Sequence, residues 1–209
     1  MSAFLGKIHY WLYNKIQLHE KLIEDIVNLA KSNGYNSETL LNESCSLYGL
    51  PVRGQLENEI EHSNIHGWLR ERIISVESRL AYVITVLLKN NVVKREELGK
   101  SFYENGLSIM KELKINEDSP QGFFRSIYNY MLEGMPCDRV NEVIENSETI
   151  IVWKTTRDIH KEYWDRVGGD VEIYHYLKDS WIQGFLSESS TEYKYSRKEN
   201  AINKIEKCI

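Results

Sequence analysis

The chain has 209 residues, enough to bury a core without disulfide staples as one large domain or two small ones. Its formal charge of -5, with lysines and arginines interspersed among acids, excludes a general nucleic-acid binder, which needs a concentrated excess of basic residues. No segment approaches the roughly 20 apolar residues of a membrane span, and Cys45, Cys137 and Cys208 stand at unrelated spacings with no secretory leader before them, so a reducing cytoplasm and no membrane partner are expected.

From Tyr10 to Lys31 the apolar residues Leu12, Ile16, Ile23, Ile26 and Ala30 recur at helical spacing, and Ser32-Asn33-Gly34 ends the pattern. His19 falls on the same inward stripe. The stretch YNSETLLNESCSLYGLPVRGQ mixes turn formers with few apolar residues and predicts a loop with one short helix at most. QLENEIEHSNIHGWLRERIISVESRLAYVITVLLKNN follows and predicts the central helix, with Ile65, Leu69, Ile73, Val76, Leu80, Ile84 and Leu87 on one face. Asn90-Asn91 breaks it. Leu98, Phe102, Ile109 and Leu113 mark another helix from about Lys94, and Ser119-Pro120 opens a further one that closes at Gly134 to Pro136.

After Cys137 the pattern changes. RVNEVIENSETIIVWKTT alternates, is rich in β-branched residues and turns at 145–148, which predicts a hairpin. DIHKEYWDRVGGDVEIYHYLKDSWIQGF reads as two helices split at Gly168-Gly169, and TEYKYSRKENAINKIEKCI as a second hairpin around Lys198-Glu199-Asn200. The order predicts an α+β fold: an N-terminal helical layer packed on a small antiparallel sheet made of two hairpins that flank two helices. A helical subdomain over 1–135 and an α+β subdomain over 136–209 would share one core, because no flexible linker separates them.

The 13 tyrosines and 5 tryptophans combine apolar bulk with polar tips, which suits a ligand pocket or an aromatic-rich core equally. In the second half, His160 and Trp164 stand one turn apart, with Asp158 near the helix start and Tyr163 beside them. Glu172, His175 and Asp179 share a side of the next helix, so that a carboxylate can orient the imidazole, while Leu177, Trp181 and Phe185 supply the apolar stripe. His160 and His175 are therefore the candidate catalytic groups, with Asp158, Tyr163, Trp164, Asp179 and Trp181 as candidate ligand-binding residues.

His62 and His66 form an HxxxH pair, which on a helix can reach one ion. A divalent metal, iron, zinc or manganese, is the cofactor this pair would take, with a third ligand from elsewhere; His9, His19 and Glu20 are available. The reading that the pattern favours is that the same residues flank a helix start at Ser63-Asn64, because HxxxH without the glutamate of HExxH is a weak motif. A second metal reading joins Glu59 and His62 with Glu172 and His175 as two ExxH elements of a di-iron bundle, although the intervening hairpin breaks the four-helix pattern.

Over Val140 to Ile209, the order hairpin, helix, helix, hairpin and the element HYLKDSWIQGF resemble the 4-vinyl-reductase domain superfamily, which includes aromatic-sensing domains. The resemblance sets His175 where a metal ligand or pocket residue stands before a Gly-aromatic pair, here Gly184-Phe185. Only Cys208 stands where that family carries a cysteine-rich metal loop, so the resemblance implies a small-ligand pocket rather than the family's zinc. Together these readings point to a soluble protein that binds a small organic molecule, as an enzyme or as a non-catalytic sensor or interaction module, with a homodimer as one expected assembly.

Overall fold

Eleven residues from Leu12 to Ala30 bury themselves along one side of the first helix, and that stripe shapes the N-terminal half of the computed structural model. The structure describes residues 5–112, 117, 119–189 and 192–208. Residues 1–4, Leu113, Thr191 and Ile209, on which parts of the expectations above rest, lie outside them.

Helix α1 spans Lys7–Ser32 and stops where Asn33 and Gly34 turn the chain, with Gly34 at φ 79°. The following stretch, expected to be mostly loop, holds helix α2 at Ser37–Tyr48. Its signal is local: the Asn36 side chain accepts the Thr39 N–H, and Gly49 ends the helix at φ 96°. A short α3, Leu56–Glu59, precedes the long α4, Ile65–Lys89, whose N-cap Asn64 accepts the Gly67 N–H at 3.1 Å. Helix α5 covers Arg95–Glu112, and α6 covers Pro120–Tyr130, ending before the expected stop at Gly134. Helices α7, Lys161–Arg166, and α8, Val171–Leu186, are split at Gly168-Gly169 as expected.

The strands are β1 Asn141–Asn146, β2 Ile150–Thr155, β3 Tyr193–Lys198 and β4 Ile202–Lys207. They form one antiparallel sheet in the order β1-β2-β4-β3, so the two hairpins join through β2 and β4, with Ile151 opposite Ile205. The fold is thus α+β: N-terminal helices plus a four-strand sheet of two hairpins, with α7 and α8 between them in the chain. Asn200 and Ala201, at φ 64° and 55°, make the tight second turn.

The chain divides into two compact units whose segments alternate along it. The first comprises Met1–Val93, Tyr130–Pro136 and His160–Asp170; the second comprises Lys94–Asn129, Cys137–Ile159 and Val171–Ile209. In the first, α1, α2 and α7 pack on α4. In the second, α5 and α8 pack together and α8 lies on β3, over a sheet face that buries Ile151, Trp153, Tyr195 and Ile205. Among the described residues, no helix is long and apolar enough to cross a membrane.

Candidate functional site

Charged side chains at core-facing helix positions are expensive to bury, and the first unit holds a cluster of them. Lys15, His19 and Glu20 on α1 and Glu77 and Arg79 on α4 are all buried, as is His160, which stands at the N-cap of α7. Glu20 and Arg79 form a bidentate pair, with Nη1 of Arg79 donating to Glu20 Oε2 at 2.8 Å and Nη2 to Oε1. Nδ1 of His160 lies 3.2 Å from Oε2 of Glu77, and the two side chains are only 4% and 2% exposed. A carboxylate accepts and does not donate, so the Nδ1 proton points at Glu77 and orients the His160 ring.

His19 is fixed in the same manner by a different acceptor. Its Nδ1 donates to the Lys15 carbonyl at 3.0 Å, one turn earlier on α1. The other nitrogen, Nε2, then carries the lone pair, and among the described residues it has no hydrogen-bond partner. Burial, as the largest cause, pushes the His19 pKa below its ordinary value, with Glu77 and the Lys15 carbonyl opposing and His160 and Lys15 reinforcing. Tyr163 on α7 is buried too; burial and then the Glu77 charge push its hydroxyl far above the ordinary tyrosine range. The cluster therefore combines a neutral imidazole, a braced imidazole, a carboxylate and an un-ionised phenol.

The remaining expected site residues fall as follows. Trp164 is buried in the first unit, on α7 next to Tyr163. In the second unit, Nε2 of His175 donates to Asp158 Oδ2 at 2.9 Å in a partly exposed pair. The carboxylate that orients His175 is thus Asp158, from the segment after β2, rather than Glu172 or Asp179 on its own helix. Glu172 and Asp179 instead both engage Arg197 of β3, and Asp179 also accepts from the Tyr195 hydroxyl at 2.8 Å. Trp181 is core: it stacks on Phe185 at 5.1 Å and donates Nε1–H to Asn105. Gly184, expected to admit a strand or ligand, admits a helix, since an added Cβ would sit 2.0 Å from the Tyr103 carbonyl of α5.

His62 and His66 have different partners. Because α4 begins at Ile65, His62 lies in the turn before it, and the one-turn spacing of HxxxH on a continuous helix does not arise. His62 Nε2 donates to the Glu57 carbonyl at 3.2 Å, whereas His66 Nε2 lies 3.2 Å from Nε2 of His9. Among the described residues, no group of three or more histidine, cysteine, aspartate or glutamate side chains is placed to hold a metal ion.

The second unit also has an open groove of about 400 Å³ between the end of α8 and the start of β3, lined by Leu186, Tyr193, Lys194, Tyr195 and Cys208 among others. Sequence reasoning missed the Glu77–His160 pair and the burial of Lys15 and Glu20. A signal for the first was present: Glu77 stands four residues after Ile73 and three before Leu80, on the apolar face of the central helix. Comparison with protein families, with curated proteins and with solved structures finds no match to the chain.

Proposed function

We propose that the protein binds a small organic molecule in its helical unit and presents to it the imidazoles of His160 and His19, with His160, braced by Glu77, as the proton-transfer group. The observation that carries this reading is the buried cluster itself: ionisable groups with displaced acidities, concentrated among helices, are kept where chemistry or binding uses them. The Nε2 lone pair of His19, fixed by the Lys15 carbonyl and lacking a protein partner among the described residues, offers an acceptor to a ligand donor. The half-exposed His175–Asp158 pair is a second oriented imidazole, in the other unit.

A second reading, a non-catalytic ligand sensor, is favoured by the groove lined by Tyr193, Lys194 and Tyr195, and a small-ligand pocket is what the 4-vinyl-reductase resemblance implies. One screen separates the two. Protein-observed NMR of a fragment library should give hits that shift the imidazole nitrogens of His19 and His160 and are lost in His160→Gln. Hits that leave both imidazoles unmoved and are lost in a Tyr193→Ala, Lys194→Ala double variant would support the sensor reading and sink the first.

A further inference from the structure

We propose that His9 and His66 form a two-imidazole site for a borderline transition-metal ion such as zinc, with water completing its coordination. Two nitrogens bound at about 2.0–2.1 Å to one tetrahedral zinc stand about 3.3 Å apart. The Nε2 atoms of His9 and His66 are 3.2 Å apart, with rings tilted by 55°, so both lone-pair directions can converge on one point between the helices. The ion has an approach from solvent, because His66 is exposed and His9 is half-buried. The site uses no residue of the buried His19–Glu77–His160 cluster.

The protonation states favour it with one adjustment. Burial and then the His66 charge hold the His9 pKa below its ordinary value, which keeps the imidazole in the neutral form that metals bind. Without an ion, the Gly6 N–H donates to His9 Nδ1 at 2.9 Å, so the ring proton sits on Nε2 and is shared with Nε2 of His66. Zinc takes the His9 Nε2 position only if that proton leaves for solvent and another is taken up at Nδ1, with no net change. The Gly6 contact is then given up. His66 already presents a bare Nε2 and needs no rearrangement. The first turns of α1 and α4 carry no acid, and the positive ends of both helices oppose the ion's charge. The affinity is therefore expected to fall well below that of a four-ligand structural zinc site.

His62 is excluded by its bond to the Glu57 carbonyl, which requires a proton on Nε2. The test is calorimetric titration of zinc chloride into the full, untagged chain and into His9→Gln, His66→Gln and His62→Gln, where glutamine preserves hydrogen bonding but not zinc ligation. One ion per chain is expected for the wild type and His62→Gln, with binding lost in the other two. Imidazole nitrogen spectra provide a readout independent of the variants: His9 should pass from the Nε2–H to the Nδ1–H tautomer as zinc is added. Zinc binding that survives in both His9→Gln and His66→Gln, or that needs His62, would overturn the assignment, as would His9 resonances unmoved at saturating zinc.

Discussion

Glu77 and His160 exist as a pair because neither is tolerable alone at their depth. Replacing Glu77 by alanine strands the His160 donor and should lower the unfolding free energy by about 3–5 kcal/mol. Glu77→Gln keeps an acceptor for Nδ1–H and should cost about 1 kcal/mol; urea melts of the two variants measure the difference, and equal losses would mean that hydrogen-bond acceptance is not what Glu77 contributes. His19 sets a pH dependence whose sign follows from its lowered pKa in the folded state. Below the unfolded value of about 6.5 the unfolded chain binds more protons than the folded one, so stability present above that pH declines as the pH falls through it. Urea melts between about pH 8 and about pH 5 should show that decline, and His19→Gln should flatten it. Much of this was half legible. The inward register of His19 follows from its position on the α1 stripe, whereas the pairing of Glu77 with His160, 83 residues apart, depends on how α4 meets α7, which periodicity cannot report.

Helices α5 and α8 cross at glycines on both sides. A Cβ at Gly106 would lie 2.2 Å from the Trp181 carbonyl, and one at Gly184 would lie 2.0 Å from the Tyr103 carbonyl. Helix propensity alone predicts that alanine at either site would stabilise by about 1 kcal/mol. The contacts are with backbone, which cannot rotate away, so the clash decides the sign, and Gly106→Ala or Gly184→Ala should instead destabilise by about 3 kcal/mol, read from thermal or urea melts. A gain in stability would show that the helices can separate without loss. At this scale the pattern was informative where it was periodic: α1, α4 and α5 follow their apolar stripes, and the first hairpin turns where a β-branched run is interrupted. It was weak for α2, which buries only Leu40 and Ser44 and therefore shows little amphipathic signal, and its helix rests on the Asn36 cap and on packing against α4. The break between α3 and α4 is legible at Ser63-Asn64, one of the two readings of that stretch, and Asn64 caps α4 there.

Neither compact unit is one continuous stretch of chain, and this governs how the molecule can be divided. The boundary near 135 that the change of composition suggests would leave α7 on the C-terminal fragment, while α7 belongs to the unit built by α1, α2 and α4. That helix carries His160, the partner of Glu77, and Trp164, which is 1% exposed; Gly169 beyond it lies so near α4 that a Cβ there would be 2.4 Å from Thr85 Oγ1. Burying one side chain as large as Trp164 contributes about 3 kcal/mol, against a total margin of about 5–15 kcal/mol for a typical domain. A fragment of residues 1–135 should therefore be helical by circular dichroism yet melt without a cooperative transition. The complementary fragment 136–209 keeps the sheet and α8 but loses α5, whose backbone seats against Gly184, and should fare no better. Co-refolding the two fragments supplies α7 to the first unit and α5 and α6 to the second, and should restore a cooperative melt. If 1–135 alone unfolds cooperatively with dispersed amide resonances, α7 contributes little, and the buried pair of Glu77 and His160 is then maintained for a purpose other than stability.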